Sequence, residues 1–196
     1  MKYFISDTHF YHENVINFDK RPFKTIEEMN QTLINNWNDT IKAGDDVYIL
    51  GDFCWLTPQS PKYQELINQL KGNKHLILGN HDKEHMPDCI KKKFVSISSF
   101  KEVTDNRKHV LLCHYPMPFY KASYNEDTWM LYGHVHIFTK EAKYINDLTH
   151  FLVNNWTYAI DNRGHLINVG CMMPYMNWRP QPLEYLIETW KKLYKE

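Results

Sequence analysis

The sequence predicts an α/β fold, a four-layer αββα sandwich of two mixed sheets flanked by helices. Three observations carry that expectation. Short apolar runs end abruptly in polar clusters, as buried strands do when they deliver loops to a sheet edge. In the first half of the chain these runs alternate with helix-spaced patterns. In the second half several runs follow one another before a single closing helix pattern, an order that suits two packed sheets with helices outside.

The first strand is expected over 2–6 and runs into Asp7-Thr8-His9. A polar loop through His12, Asn14 and Arg21-Pro22-Phe23 follows. Thr25-Ile26-Glu27-Glu28 has the form of a capping box, a hydroxyl with a Glu three residues on. Ile26, Met29, Leu33, Ile34, Trp37 and Ile41 then recur at helical spacing, predicting a helix over 26–42. Ala43-Gly44-Asp45-Asp46 reads as a turn, its two carboxylates as turn chemistry and not ligands, before a strand over 47–50. Pro58 and Pro61 introduce a helix over 61–71 that Gly72 stops. A strand over 75–78 delivers Gly79-Asn80-His81-Asp82, and a helix over 83–92 is expected after it.

Strands are expected next over 94–98, 100–104 and 109–113, with Asp105-Asn106 turning the last two, so the β-α-β order should give way to hairpins. Residues 115–128 form an aromatic, proline-broken loop. A strand over 129–132 leads to Gly133-His134-Val135-His136. The segment 137–155 reads equally as a helix or as an irregular insert. Runs at 157–161 and 165–169 flank an Asp161-Asn162-Arg163-Gly164 turn and suggest a hairpin. A helix over 182–194 closes the chain, with Leu183, Leu186, Ile187, Trp190 and Leu193 as a core or dimer stripe.

At 196 residues, with 43% hydrophobic and 23% charged residues, the chain is expected to form one globular domain with a substantial core. Its formal net charge of zero argues against a dedicated nucleic-acid or anionic-membrane surface. No apolar run approaches the roughly 20 residues that span a bilayer. Because the first residues already read as a strand, no signal peptide is expected. Cys54, Cys89, Cys113 and Cys171 are scattered, without a C-x-x-C pair, which fits reduced thiols in the cytoplasm.

Histidine is the unusual feature: there are eleven, about half in the clusters behind the strands. Those clusters supply Asp7, His9, Asp52, Asn80, His81, His114, His134 and His136. Ligands in α/β sheets collect at the carboxyl ends of strands. Mixed imidazole and carboxylate donors favour zinc, manganese or iron over magnesium or calcium. The donors outnumber those of a tetrahedral site. Two ions sharing one carboxylate would use them, in the arrangement that serves displacement at phosphorus.

Asp7-x-His9, Gly51-Asp52, Gly79-Asn80-His81-Asp82, His114 and Gly133-His134-x-His136, in that order from Asp7 to about Gly170, resemble the calcineurin-like metallophosphoesterase family. The short chain and its Asp-Thr-His-Phe opening look like the compact bacterial or phage members. The resemblance implies a hydrolase with two divalent transition-metal ions, manganese foremost, with iron, zinc or nickel also fitting. It implies that Asp7, His9 and His136 hold the first ion, that Asp52 bridges, and that Asn80, His114 and His134 complete the set of ligands around the second ion. A metal-bridging hydroxide would attack phosphorus. His81 would stabilise the phosphoryl oxygens and protonate the leaving group, and Asp82 would accept a hydrogen bond from His81 to fix its tautomer.

Two departures bear on the substrate. Many relatives place a second Asp three residues after the bridging one, where this chain has Trp55. The protein phosphatases of the family have Asn-His-Glu where this chain has Asn80-His81-Asp82. Both argue against a phosphoprotein substrate and leave a small-molecule or nucleotide phosphoester, with a diester favoured. His12, three residues past His9, is either a packing residue or a contact to phosphate or leaving group. Tyr115, Phe119, Tyr120, Tyr124, Tyr175 and Trp178 either pack loops together or stack on a base or aryl group. The competing classes are a non-catalytic binding module on the same scaffold and a nuclease acting on short single strands. Keeping His81 and every ligand argues against the first, and zero net charge against the second. The physiological substrate and the oligomeric state are not legible in the residues.

Overall fold

A computed structural model describes residues 1–83, 85–154 and 165–194. One sheet is built from β1 (Lys2–Ile5), β2 (Asp46–Ile49), β3 (Asn73–Ile77), β4 (Ser96–Ser98) and β9 (Gln181–Pro182), in the order β4-β3-β2-β1-β9. The first four are mutually parallel, with Ile5 opposite Ile49 and Ile49 opposite Leu76. The short β9 is antiparallel to β1. A second sheet has the order β5-β6-β7-β8 from β5 (Phe100–Asp105), β6 (Lys108–Cys113), β7 (Thr128–Tyr132) and β8 (Leu166–Asn168).

Side chains alternate across a strand, and in the second sheet that alternation sorts two cores. Val110, Leu112, Trp129, Leu131 and Ile167 face inward and join one buried cluster with Phe4, Ile5, Val47, Ile49 and Leu76 of the first sheet. Leu111, Met130, Tyr132 and Leu166 face outward, where Ala142, Ile145 and Leu152 of α5 (Lys140–Asn154) cover them. On the first sheet, α2 (Ile26–Thr40) buries Met29, Leu33 and Trp37, and α3 (Pro61–Gln69) buries Tyr63, Leu66 and Ile67. The fold is therefore α/β, two mixed sheets face to face with helices outside.

The local signals act as their chemistry requires. The Thr25 hydroxyl accepts from the Glu28 amide at 3.2 Å, and the Glu28 carboxylate reaches back to the Lys24 amide at 2.7 Å. Asp45 accepts from the Lys42 amide at 2.8 Å and closes the turn before β2. The Lys74 ammonium donates to the Leu70 and Gly72 carbonyls, filling acceptors the end of α3 leaves open. In α6 (Leu183–Tyr194), Leu183, Leu186, Ile187 and Trp190 are buried, so the stripe belongs to the core, while Leu193 is 54% exposed.

Several expectations are corrected. The helix expected over 83–92 shrinks to α4 (Asp88–Lys91), because Pro87 disfavours helical geometry in the residue before it. Among the described residues only β5 and β6 form a hairpin; β6, β7 and β8 run parallel, joined by the 114–127 loop and by the segment containing α5. The ambiguous 137–155 stretch is largely helix α5. The short helix α1 (Asn14–Phe18) was not legible, being one turn without an amphipathic repeat. The strand expected over 157–161 and its Asp161–Gly164 turn lie outside the described residues.

Candidate metal centre

The parallel strands β1, β2 and β3 point their carboxyl ends to one rim, and the ends of β6 and β7 meet them there. The Ser6 amide donates to the Val169 carbonyl at 2.8 Å, and the Cys171 amide donates to the Ser6 carbonyl at 2.8 Å. These two bonds tie the edges of the sheets together where Asp7 leaves β1. Close approach explains two glycines: a Cβ on Gly79 would collide with the Asp52 carboxylate, and one on Gly133 with Ser6 and Asp7. Asp7, His9, Asp52 and His134 all sit at positive φ, between 48° and 65°. Non-glycine residues avoid this region, and backbone strain of this kind collects at functional sites.

All seven expected ligands converge on this rim. Asp7, His9 and His136 form one group of donor atoms within 4.8 Å of one another, and Asp7, Asp52 and His114 form another. Asp52 Oδ2 lies 3.6 Å from His9 Nε2 and 3.6 Å from His114 Nε2. His136 Nε2 is 3.7 Å from Asp7 Oδ1. Asn80 Oδ1 is 3.1 Å from His114 Nε2, and the His134 ring lies 5.1 Å from that of His114. Asp7, His9, Asp52 and His114 are each at most 2% exposed.

Hydrogen bonding fixes which ring nitrogens are free. His114 Nδ1 lies 2.7 Å from the Leu50 carbonyl, which can only accept, so Nδ1 carries the proton and Nε2 the lone pair. That lone pair faces two further acceptors, Asn80 Oδ1 and Asp52 Oδ2. His136 is arranged alike: its Nδ1 is 2.7 Å from Asp19 Oδ1 and its Nε2 looks toward Asp7. His9 Nε2 is buried with no hydrogen-bond partner. Acceptors crowded without a proton between them are costly when buried, and a cation removes the cost. The residues present therefore fit divalent ions.

The electrostatics agree. Burial pushes the Asp7 carboxyl above its ordinary range, with the His114 and His136 charges opposing. Burial, then the Arg21 charge, drives His9 well below the usual imidazole value. Burial also lowers His12 and His134. For His136, burial pulls downward, but the Asp19 hydrogen bond and the Asp7 and Asp19 charges outweigh it and leave the value raised. Buried carboxylates and neutral imidazoles are what a metal ion compensates and requires.

His81 and Asp82 do not pair as the resemblance implies. The His81 ring is 42% exposed, with Nε2 4.0 Å from Asp52 Oδ2, and its amide donates to Asp52 Oδ1 at 2.9 Å. Asp82 does not orient that ring. Its carboxylate accepts from the amides of Asp52 (2.8 Å), Gly79 (2.9 Å) and Phe53 (3.1 Å), joining the loops after β2 and β3. Three convergent amides take most of the acceptor positions of this carboxylate and hold it toward the β2 loop, away from the half-exposed His81 ring. Burial nonetheless raises Asp82 to about 6, against the opposing amide bonds.

His12 is 8% exposed, with Nδ1 3.2 Å from His9 Nδ1 and its ring flat against Trp55. Little of it is open to a substrate. Of the aromatic loops, Tyr120 and Tyr175 spend their hydroxyls on backbone carbonyls and Trp178 packs on Phe23. Tyr115, 46% exposed, stands beside the His134 ring at 4.7 Å. A cavity of about 520 Å³ under α5 and α6 is lined by apolar groups such as Ile145 and Trp190, with no carboxylate among the described residues that line it.

Two residues of the centre escaped the sequence reading. Asp19 holds His136, and Arg21 holds Asp19 through Nε and Nη2, each 3.0 Å from Oδ2. Arg21 also donates to the carbonyls of Asp7 (2.9 Å) and Thr8 (3.0 Å). Both side chains are fully buried. In sequence Arg21 is only part of a polar loop, and nothing local to Asp19-Lys20-Arg21 marks either residue as part of the centre.

A family model described as a calcineurin-like phosphoesterase superfamily domain matches residues 1–189. An uncharacterized protein of Methanocaldococcus jannaschii is 39% identical over 190 residues, covering 97% of this chain and 91% of that protein. The gene 66 protein of Mycobacterium phage L5 is 34% identical over 87 residues, 42% of this chain and 40% of that one. The crystal structure of a protein of unknown function from Aquifex aeolicus superposes with a TM-score of 0.67 at 29% identity, over 96% of this chain and 98% of its own. With the family model running through both sheets and the rim into the closing helix, the chain belongs to the calcineurin-like phosphoesterase superfamily.

Proposed function

We propose that the chain is a dinuclear metal-dependent phosphoesterase acting on a small-molecule or nucleotide ester, with phosphodiesters favoured. Asp7, His9 and His136 would hold one ion, Asp52 would be shared, and Asn80, His114 and His134 would hold the other. Manganese suits this nitrogen–oxygen donor set, as do iron, zinc and nickel. When bound, such a pair supplies charge neutralisation beside phosphorus and an activated water at neutral pH. The observation that carries the reading is the convergence of His114 Nε2, Asn80 Oδ1 and Asp52 Oδ2, acceptors with no proton to share.

The chain's own residues supply the rest. The half-exposed His81 ring stands beside the shared carboxylate, where it can give a proton to a departing alkoxide. Asp82 acts one step removed, by locking the Gly79–Asp82 turn onto the Asp52 loop. Among the described residues no helix is long and apolar enough to cross a membrane. Four unpaired cysteines suit the reducing cytoplasm, where we place the protein.

The test is elemental analysis beside kinetics on an activated aryl phosphodiester with Mn²⁺. The expectation is about two ions per chain. His81→Ala should lower kcat by about 10²–10⁴ with both ions retained. A protein that takes up no transition metal, or takes it up and hydrolyses no phosphoester, removes the assignment.

A further inference from the structure

Trp55 sits on the loop leaving β2, three positions after the shared carboxylate Asp52. Its neighbours Phe53 and Cys54 are buried, yet Trp55 is 48% exposed. Its indole lies parallel to the His12 ring, with centroids 3.8 Å apart and an interplanar angle of 4°. His12 is buried and meets His9, so the indole is backed by the centre itself. On its flank Trp55 meets His81, at a centroid distance of 4.9 Å. Phe18, also 48% exposed, extends the same wall, edge-on to His12 and His136. Core packing does not account for a large ring held flat and half open at this place.

We propose that Trp55, backed by His12, is a stacking subsite for a planar aromatic group of the substrate, and that the preferred esters are nucleotides or nucleotide-like. The inference rests on the phosphoesterase reading and deepens it. His81 marks the side on which the scissile phosphorus and its leaving oxygen would lie. A ring stacked on Trp55 would lie on that same side, since the indole stands 4.9 Å from the His81 ring. Stacking on a pre-positioned indole costs little side-chain entropy, and it accepts any base because every base has a π-face. The subsite should therefore separate aromatic from aliphatic esters while barely distinguishing bases.

The test compares AMP with ribose 5-phosphate as inhibitors of aryl phosphodiester hydrolysis by the Mn²⁺-loaded chain. The two share sugar and phosphate and differ only in the base. AMP should inhibit on the order of tenfold more tightly. In Trp55→Ala that ratio should collapse toward one, and in Trp55→Phe, which keeps a smaller ring, it should fall only partly. A wild type without the preference, or a Trp55→Ala protein that keeps it, overturns the stacking subsite while the phosphoesterase reading stands. A metal-loaded wild type that neither hydrolyses the diester nor binds either phosphate overturns that reading and the subsite together.

Discussion

Replacing Asp19 with Asn tests the least expected feature of the centre. Asp19 Oδ1 accepts from His136 Nδ1 at 2.7 Å and thereby aims Nε2 at Asp7. A carboxylate behind a metal-binding imidazole fixes its tautomer and raises its basicity, and losing such a partner typically costs 10–100-fold in metal affinity or activity. At about 1.4 kcal/mol per tenfold, this corresponds to about 1.4–2.8 kcal/mol. The same change strips Arg21 of its counter-ion. Breaking a buried pair costs about 3–5 kcal/mol, but Arg21 keeps the Asp7 and Thr8 carbonyls, so the lower end applies and the fold should survive.

The assay is a chelator competition for Mn²⁺ run from pH 9 to pH 6, with a melt alongside. One of the two ions should weaken by 10–100-fold and the other should hold. The sign of the pH dependence follows from the raised value of His136. Protonated His136 competes with the ion, so wild-type affinity falls as pH drops toward that value. In Asp19→Asn the decline should begin at lower pH, because the charge that raised the value is gone. A variant that binds both ions like the wild type, with an unshifted pH profile, would refute the reasoning.

Two further outcomes are expected. Asp82→Ala removes three amide bonds to one carboxylate and should cost about 3 kcal/mol in denaturant melts; lowered kcat with unchanged stability would instead restore a direct role toward His81. His75, stacked on Tyr48 at 4.5 Å, has its value lowered first by burial, with Asp46 opposing. The unfolded chain therefore takes up a proton below pH 6.5 that the folded chain resists, so wild type should lose stability relative to His75→Phe as pH falls below 6.5. A difference that stays flat from pH 7.5 to 5 would contradict this.

Much of the centre was legible in the chain because its donors travel in short motifs. A strand that ends in Asp-x-His or Gly-His-x-His announces its loop locally, and Thr25, Gly72 and the α6 stripe announce helix boundaries and faces in the same way. Legibility failed where a residue's role depends on a partner far away. Asp82 beside His81 looked like its hydrogen-bond acceptor, but amides from around position 52 reach it first. The parallel pairing of β6 with β7 was hidden by a long loop that could equally have turned back as a hairpin.

Periodicity and motif, then, are properties of neighbours in the chain, and they announced most of the strands and helices and which candidate donors gather at the rim, but not the two-residue β9. What only the tertiary structure decided is which buried charge meets which. Asp19 and Arg21 resemble any exposed run until folding removes their water and leaves them His136 and the Asp7 backbone as partners. Trp55 resembles any core tryptophan until the rim leaves it half open beside His81. Desolvation and long-range contact are set by the packed whole, so no local stretch of residues can encode them alone.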